Sequence, residues 1–190
     1  MNSDIKRPIK DAKHQTQEYR MADSKNDIVL EWLGDAHAKA QQSKYLYEKQ
    51  ADQMENYPEL RPKFNEHAEK SRQHLTMLQD AMERLGGSPS TIKDIGGKIM
   101  AWGQSVAGMP LSDEVVKGVM FCYSFQQMGI ASYRILIAAA QEAGDAETVR
   151  VCEQIMRDDE DMAKWLYDRL PEITQTYMRR KFQEGVKAKH

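Results

Sequence analysis

Strand-like segments are missing from these 190 residues. No stretch rich in Val, Ile and Thr alternates apolar with polar positions, which argues against a β-sheet domain. Proline is scarce, at 6 residues, and only Pro110 and Pro171 fall far from the start of the chain or of a helix. The 11 glycines gather at a few joints, so the segments between them can run as long helices. A run of about 18 apolar residues is also missing, and no membrane-spanning helix is expected. The opening MNSDIKRPIKDAKHQ carries no apolar stretch of a secretory signal, which makes the cytoplasm the expected compartment. Neither sign of charge is in excess. With 27 basic and 29 acidic residues and a net charge of -2, the chain shows no footprint for nucleic acid or an anionic membrane. Its two cysteines, Cys122 and Cys152, have no zinc or redox spacing and sit in apolar helical stretches. They read as small buried hydrophobes.

What is present is helix. Residues 1–26 are polar and unpatterned and are expected to form a flexible arm. From Asp27 an apolar stripe follows at Val29, Leu33, Ala36, Ala40, Ser43, Tyr47, Ala51 and Met54, in steps of three and four. NYPEL breaks it, with Pro58 expected at the start of the next helix. That helix carries Leu60, Phe64, His67, Ser71, His74, Leu78 and Leu85 and stops at Gly86-Gly87. A connector of about 25 residues comes next. Its Ile92, Ile95, Ile99, Met100 and Trp102 predict a short helix inside it.

Asp113 and Glu114 should open the third helix, at its positive end. Its stripe is Val116, Val119, Tyr123, Gln126, Ile130, Tyr133 and Ile137, closed by Gly144. Asp145 is the expected N-cap of a fourth helix, whose Cys152, Met156, Asp159, Ala163, Leu166 and Leu170 face inward. Pro171 should end or kink it, leaving a polar tail over 179–190. Two antiparallel hairpins joined by a long crossover make an all-α, ferritin-like four-helix bundle over residues 27–178.

Such a bundle can hold a dinuclear metal centre, which needs a Glu from each of two helices and a Glu-x-x-His from each of the others. The inward positions at mid-height are Ala40, then His67, Lys70 and His74, then Gln126 and Gly129, then Asp159. Glu66 and Glu69 point off the histidine face. One carboxylate remains where four or five are needed. A reduced site from His67, His74 and Asp159 is the surviving metal reading, with zinc, iron or manganese as candidate ions. The two histidines are about 10.5 Å apart along the axis, which argues against one ion for both. The plain reading of both is hydrogen-bonded bundle histidines, with His37 at the surface. Tyr45, Tyr47, Tyr123, Tyr133 and the 12 methionines invite a redox reading, but at helical spacing they read as core filling.

The segments EWLGDAHAKAQQ, ENYPELRPKFNEH, SDEVVKG, IASYRILIAAAQEAGD and MAKWL resemble the bacterial YciE/YciF stress-protein family, closest to its YciE branch. The likeness runs from about Glu31 to the tail. It implies a ferritin-like fold, a homodimer and an association with stress responses. Relatives read DAHAMEKQ where this chain has DAHAKAQQ, so the resemblance puts Ala40 at a glutamate position. HLEET becomes HAEKS, with Lys70 at another, while His67 matches the family histidine. FE-x-x-E becomes FQQMG, with Gln126 and Gly129 at two more. The acidic pair of the fourth helix survives as Asp158-Asp159.

Together these readings predict a stress-associated structural or interaction protein without catalytic machinery and with a degenerate di-iron site. Lys70 paired with Asp159 is expected to replace the charge of the cations. His67, His74, Asp158 and Asp159 are what is left for a metal. No cofactor is expected, and the partner is a second copy of the chain, through Leu30, Trp32, Leu46, Trp102 and Trp165. The alternative, from another class, is an iron- or manganese-dependent oxidoreductase or peroxide-detoxifying protein. A third reading is a small molecule bound in the space that Ala40 and Gly129 leave.

Overall fold

The computed structural model describes residues 6–87 and 115–183, with side chains from residue 25 onward. It contains α1 (Lys6–Asp52), α2 (Arg61–Arg84), α3 (Val115–Ala143) and α4 (Ala146–Lys181), with no strand among the described residues. Residues 6–26, expected to be part of a flexible arm, have a helical backbone, because α1 is one helix of 47 residues. Pro8 lies in its first turn, where a missing N–H costs nothing, and residues 9–33 contain neither Pro nor Gly. Polarity there removes the apolar stripe, not the helix.

Pro58 belongs to the turn before α2, and the proline in that helix's first turn is Pro62. Pro171 does not end α4, which continues to Lys181 and so takes in the start of the expected tail. The proline is exposed, so its lost hydrogen bond falls on the watered side of the helix. The short helix expected around Ile92–Trp102 and the opening at Asp113 and Glu114 lie outside the described residues.

Two helix ends explain the sharp turns. Gly144, at φ 75°, lets its own N–H reach Gln141 O at 3.0 Å and Asp145 N–H reach Ala140 O at 2.9 Å. That pair of bonds is a Schellman closure, and Gly86 at φ 84° repeats it on α2. Asp145 then caps α4, its Oδ1 accepting from Thr148 N–H at 3.1 Å. Arg84 donates to the same carboxylate at 2.7 Å, which ties the end of α2 to the start of α4.

The stripes of α1 and α2 are buried as expected, except that Leu85 is half-buried. On α3 the buried face is turned. Val119, Gln126 and Tyr133 lie at its centre, while Val116, Tyr123, Ile130 and Ile137 are half-buried beside Cys122, Phe125, Gly129 and Leu136. An apolar residue occupies almost every side of this helix, so spacing alone does not set its phase.

The core is in two parts. One cluster holds Tyr47, Phe64, Val119, Met162 and Leu166, and the other Leu33, Leu78, Tyr133, Leu136 and Ile155. Each fully buried large side chain contributes about 1.5–3 kcal/mol. Between the clusters runs a layer of buried polar residues, drawn from all four helices: Lys39, Ser43, His67, Ser71, Gln126 and Asp159.

Candidate functional site

Lys39 is the residue that organises this layer. It lies one position from the α1 stripe and is only 9% exposed. Its ammonium is bound to Asp159 Oδ2 of α4 and lies 3.4 Å from Gln126 Oε1 of α3. The rings of Phe125 and Tyr133 flank it, with centroids 5.4 and 5.5 Å from Nζ. Gly129 makes the room. A β-carbon there would lie 2.5 Å from Lys39 Nζ and 2.9 Å from Asp159 Oδ2.

The hydrogen bonds continue from Gln126. Its amide N–H donates to His67 Nε2 at 2.5 Å, and the ring of His67 packs edge-on against Tyr47 with centroids 4.5 Å apart. Burial, and then the charge of Lys39, push the His67 pKa well below its ordinary 6.5, so the ring is neutral at pH 7. The lone pair that a neutral imidazole would offer to a metal is therefore engaged by Gln126. Ser71 donates to Ser43 Oγ at 2.9 Å in the same layer. Asp159 Oδ1 and the hydroxyls of Tyr47 and Tyr133 are buried with no hydrogen-bond partner among the described residues. Both tyrosine pKa values are raised by burial first; Asp159 adds to each.

A second polar cluster sits beside the first, nearer the surface. Lys70 does not reach Asp159. It donates to Asp158 Oδ1 at 2.6 Å, and His74 Nε2 lies 3.0 Å from Asp158 Oδ2. Burial opposes ionisation of Asp158, but the hydrogen bonds from Lys70 and His74 prevail and hold its pKa below the ordinary range. The predicted Lys70–Asp159 pair is thus corrected to Lys39–Asp159. The reason is geometric: the inner end of Lys39 fills the gap at Gly129, whereas Lys70, half-buried at the edge of α2, meets the outer of the two aspartates.

His67 and Asp159 share the layer, at 3.7 Å between Nε2 and Oδ1, while His74 and Asp158 turn to each other. The site imagined from His67, His74 and Asp159 is therefore not assembled. Among the described residues, no three His, Cys, Asp or Glu side chains form a metal-type group. Ala40 is buried in the core cluster on the Tyr133 side. Glu66 and Glu69 are exposed and pair with Lys63 and Arg72. His37 is half-buried rather than at the surface, and burial lowers its pKa. Cys122 and Cys152 are free and buried, and burial raises both thiol pKa values, that of Cys152 to about 12.

Reading the sequence missed Lys39. A lysine beside Ala36, Ala38 and Ala40 looks like the outer edge of a stripe. The signal was in the same segment: DAHAKAQQ departs from DAHAMEKQ at Lys39 as well as at Ala40. A dinuclear metal centre does not fit the residues present. One carboxylate, already paired with an ammonium, faces a neutral imidazole whose lone pair is taken, and a cation there would lie against Lys39.

The bundle is similar to a solved structure of a protein from Xanthomonas campestris pv. campestris. The two share 30% identity at a TM-score of 0.70, over 84% of this chain and 99% of that one. It is also similar to Desulfovibrio desulfuricans bacterioferritin, a protein with a diiron site, at a TM-score of 0.67 over 81% and 84% of the two chains. Identity there is 19%, so the likeness speaks for the fold alone. A family model described as a domain of unknown function, DUF892, matches residues 24–179. This chain belongs to that family, the ferritin-like YciF type. No helix among the described residues is long and apolar enough to cross a membrane.

Proposed function

We propose that this chain is a stress-associated, non-enzymatic protein of the YciE branch in which an internal ion pair stands where relatives carry a dinuclear metal centre. One observation carries the proposal: the ammonium of Lys39 is seated on Asp159, in the space a side chain at position 129 would take. Two divalent cations need several carboxylates to balance them. Here one ammonium balances one carboxylate, and Gln126 links the pair to a neutral histidine without adding charge. The layer balances the charge at the bundle's centre without carboxylates left free to hold a metal.

The stress association and the branch rest on the resemblance of EWLGDAHAKAQQ and MAKWL, and the cytoplasm remains the proposed compartment. A homodimer is part of the same proposal, on a smaller surface than expected. Leu46 is spent inside the bundle and Trp165 packs edge-on against Phe64, leaving exposed residues such as Tyr45 and Met120.

The test is metal analysis of protein purified without chelators, with thermal unfolding before and after added manganese or iron. We expect well under one equivalent of metal and an unchanged midpoint. An ion bound only by the folded state raises stability, so stoichiometric metal with a clear upward shift would mean an oxidoreductase-type centre instead.

A further inference from the structure

A cleft of about 680 Å³ opens between α1 and α3 and reaches down to Lys39 and Tyr133. That volume is in the range of sites for small organic molecules. Trp32, Met128, Ile135 and Leu136 give it apolar walls, and Glu31 and Asp35 lie one helical turn apart at its mouth.

The donors of Lys39 are directed to Asp159 and Gln126. Glu31 and Asp35 have no ion-pair partner among the described residues. Burial first, and then the charge of Glu31, raise the Asp35 pKa above the ordinary carboxylate value. Gln42 Oε1 and the hydroxyl of Tyr133, a residue 1% exposed, are buried without a hydrogen-bond partner among the described residues. The cleft offers three acceptors, the Glu31 and Asp35 carboxylates and Gln42 Oε1, and the Tyr133 hydroxyl, which can accept as well as donate. Trp32, 37% exposed, adds an aromatic face beside the two carboxylates.

We infer that this cleft binds a small organic ammonium ion with an aromatic or branched apolar body. The ammonium sits between Glu31, Asp35 and the face of Trp32. The body lies along Leu136, Met128 and Ile135. A donor at its inner end meets Gln42 and Tyr133. A carboxylate ligand is disfavoured, because it would meet two like charges at the mouth while Lys39, deeper in, is already neutralised by Asp159. The inference does not depend on the metal question, whose readout is metal content.

Calorimetric titration of the full chain with phenethylamine and with 3-phenylpropionate tests it, since the two differ mainly in the sign of their charge. We expect the amine to bind with a Kd below about 1 mM, and the acid at least about tenfold more weakly. Glu31→Gln with Asp35→Asn, isosteric changes at exposed positions, should weaken the amine by about tenfold or more while leaving the thermal midpoint in place. No heat with amine up to about 10 mM, equal binding of the acid, or an unchanged affinity in the double variant would each overturn the site. So would a second copy seated in the cleft, seen as a dimer that Ile135→Lys disperses and that binds no amine.

Discussion

Lys39 lies where a side chain on residue 129 would be, and Gly129 is what admits its ammonium to Asp159. An alanine in an unobstructed helix interior gains about 1 kcal/mol over glycine. At position 129 the gain should turn into a loss of about 1–3 kcal/mol, because the new methyl group pushes Lys39 off its partner. In a Lys39→Ala background, where only the close approach to Asp159 Oδ2 remains, the same Gly129→Ala change should cost clearly less. Urea unfolding of the four proteins reads the difference directly. An equal effect in both backgrounds would mean that Lys39 does not occupy this space.

Lys70 supplies the contrast. It is half-buried and its pair with Asp158 is open to water, so Lys70→Met should cost no more than about 1 kcal/mol. The same substitution at Lys39 should cost several times more. Equal losses at the two positions, by chemical unfolding, would put the buried pair on the wrong lysine.

The histidines give the pH dependence. His67 is held well below 6.5 by burial and by Lys39, and His74 is lowered by burial against the pull of Asp158. Both are neutral when folded, so below pH 6.5 the unfolded chain binds more protons than the folded one. Stability should therefore fall as pH drops from about 7 to about 5, and less steeply in His67→Gln. Asp158, with its pKa below the ordinary 3.8, adds a further loss in stronger acid as it is protonated. A thermal midpoint that is flat or rises over the first range would contradict the neutral-histidine layer.

Much of the fold could be read from spacing. The stripes of α1 and α2, the glycine closures at Gly86 and Gly144 and the cap at Asp145 all follow from local chemistry that one helix settles by itself. The helical backbone of residues 6–26 could not be read so, because helix without an apolar face leaves no periodic signal. In the site, the lack of a carboxylate at Ala40, Gln126 and Gly129 could be read, since residue type is a property of one position. Which lysine faces Asp159 was not. That depends on how α1 and α3 approach each other across Gly129, and a long flexible side chain can bury its stem and head from the edge of a stripe.

Lys39 and Asp159 neutralise each other in the middle of the bundle, and a double-mutant cycle measures their coupling. Removing either partner leaves a buried charge unpaired, so Lys39→Met and Asp159→Asn should each cost about 3–5 kcal/mol in unfolding free energy. The double variant, with no charge left to bury, should recover much of that loss, giving a coupling energy of about 2 kcal/mol or more. Additive losses, with the double variant as unstable as the two singles summed, would contradict the pair and with it the proposal that an ion pair stands in place of a metal centre.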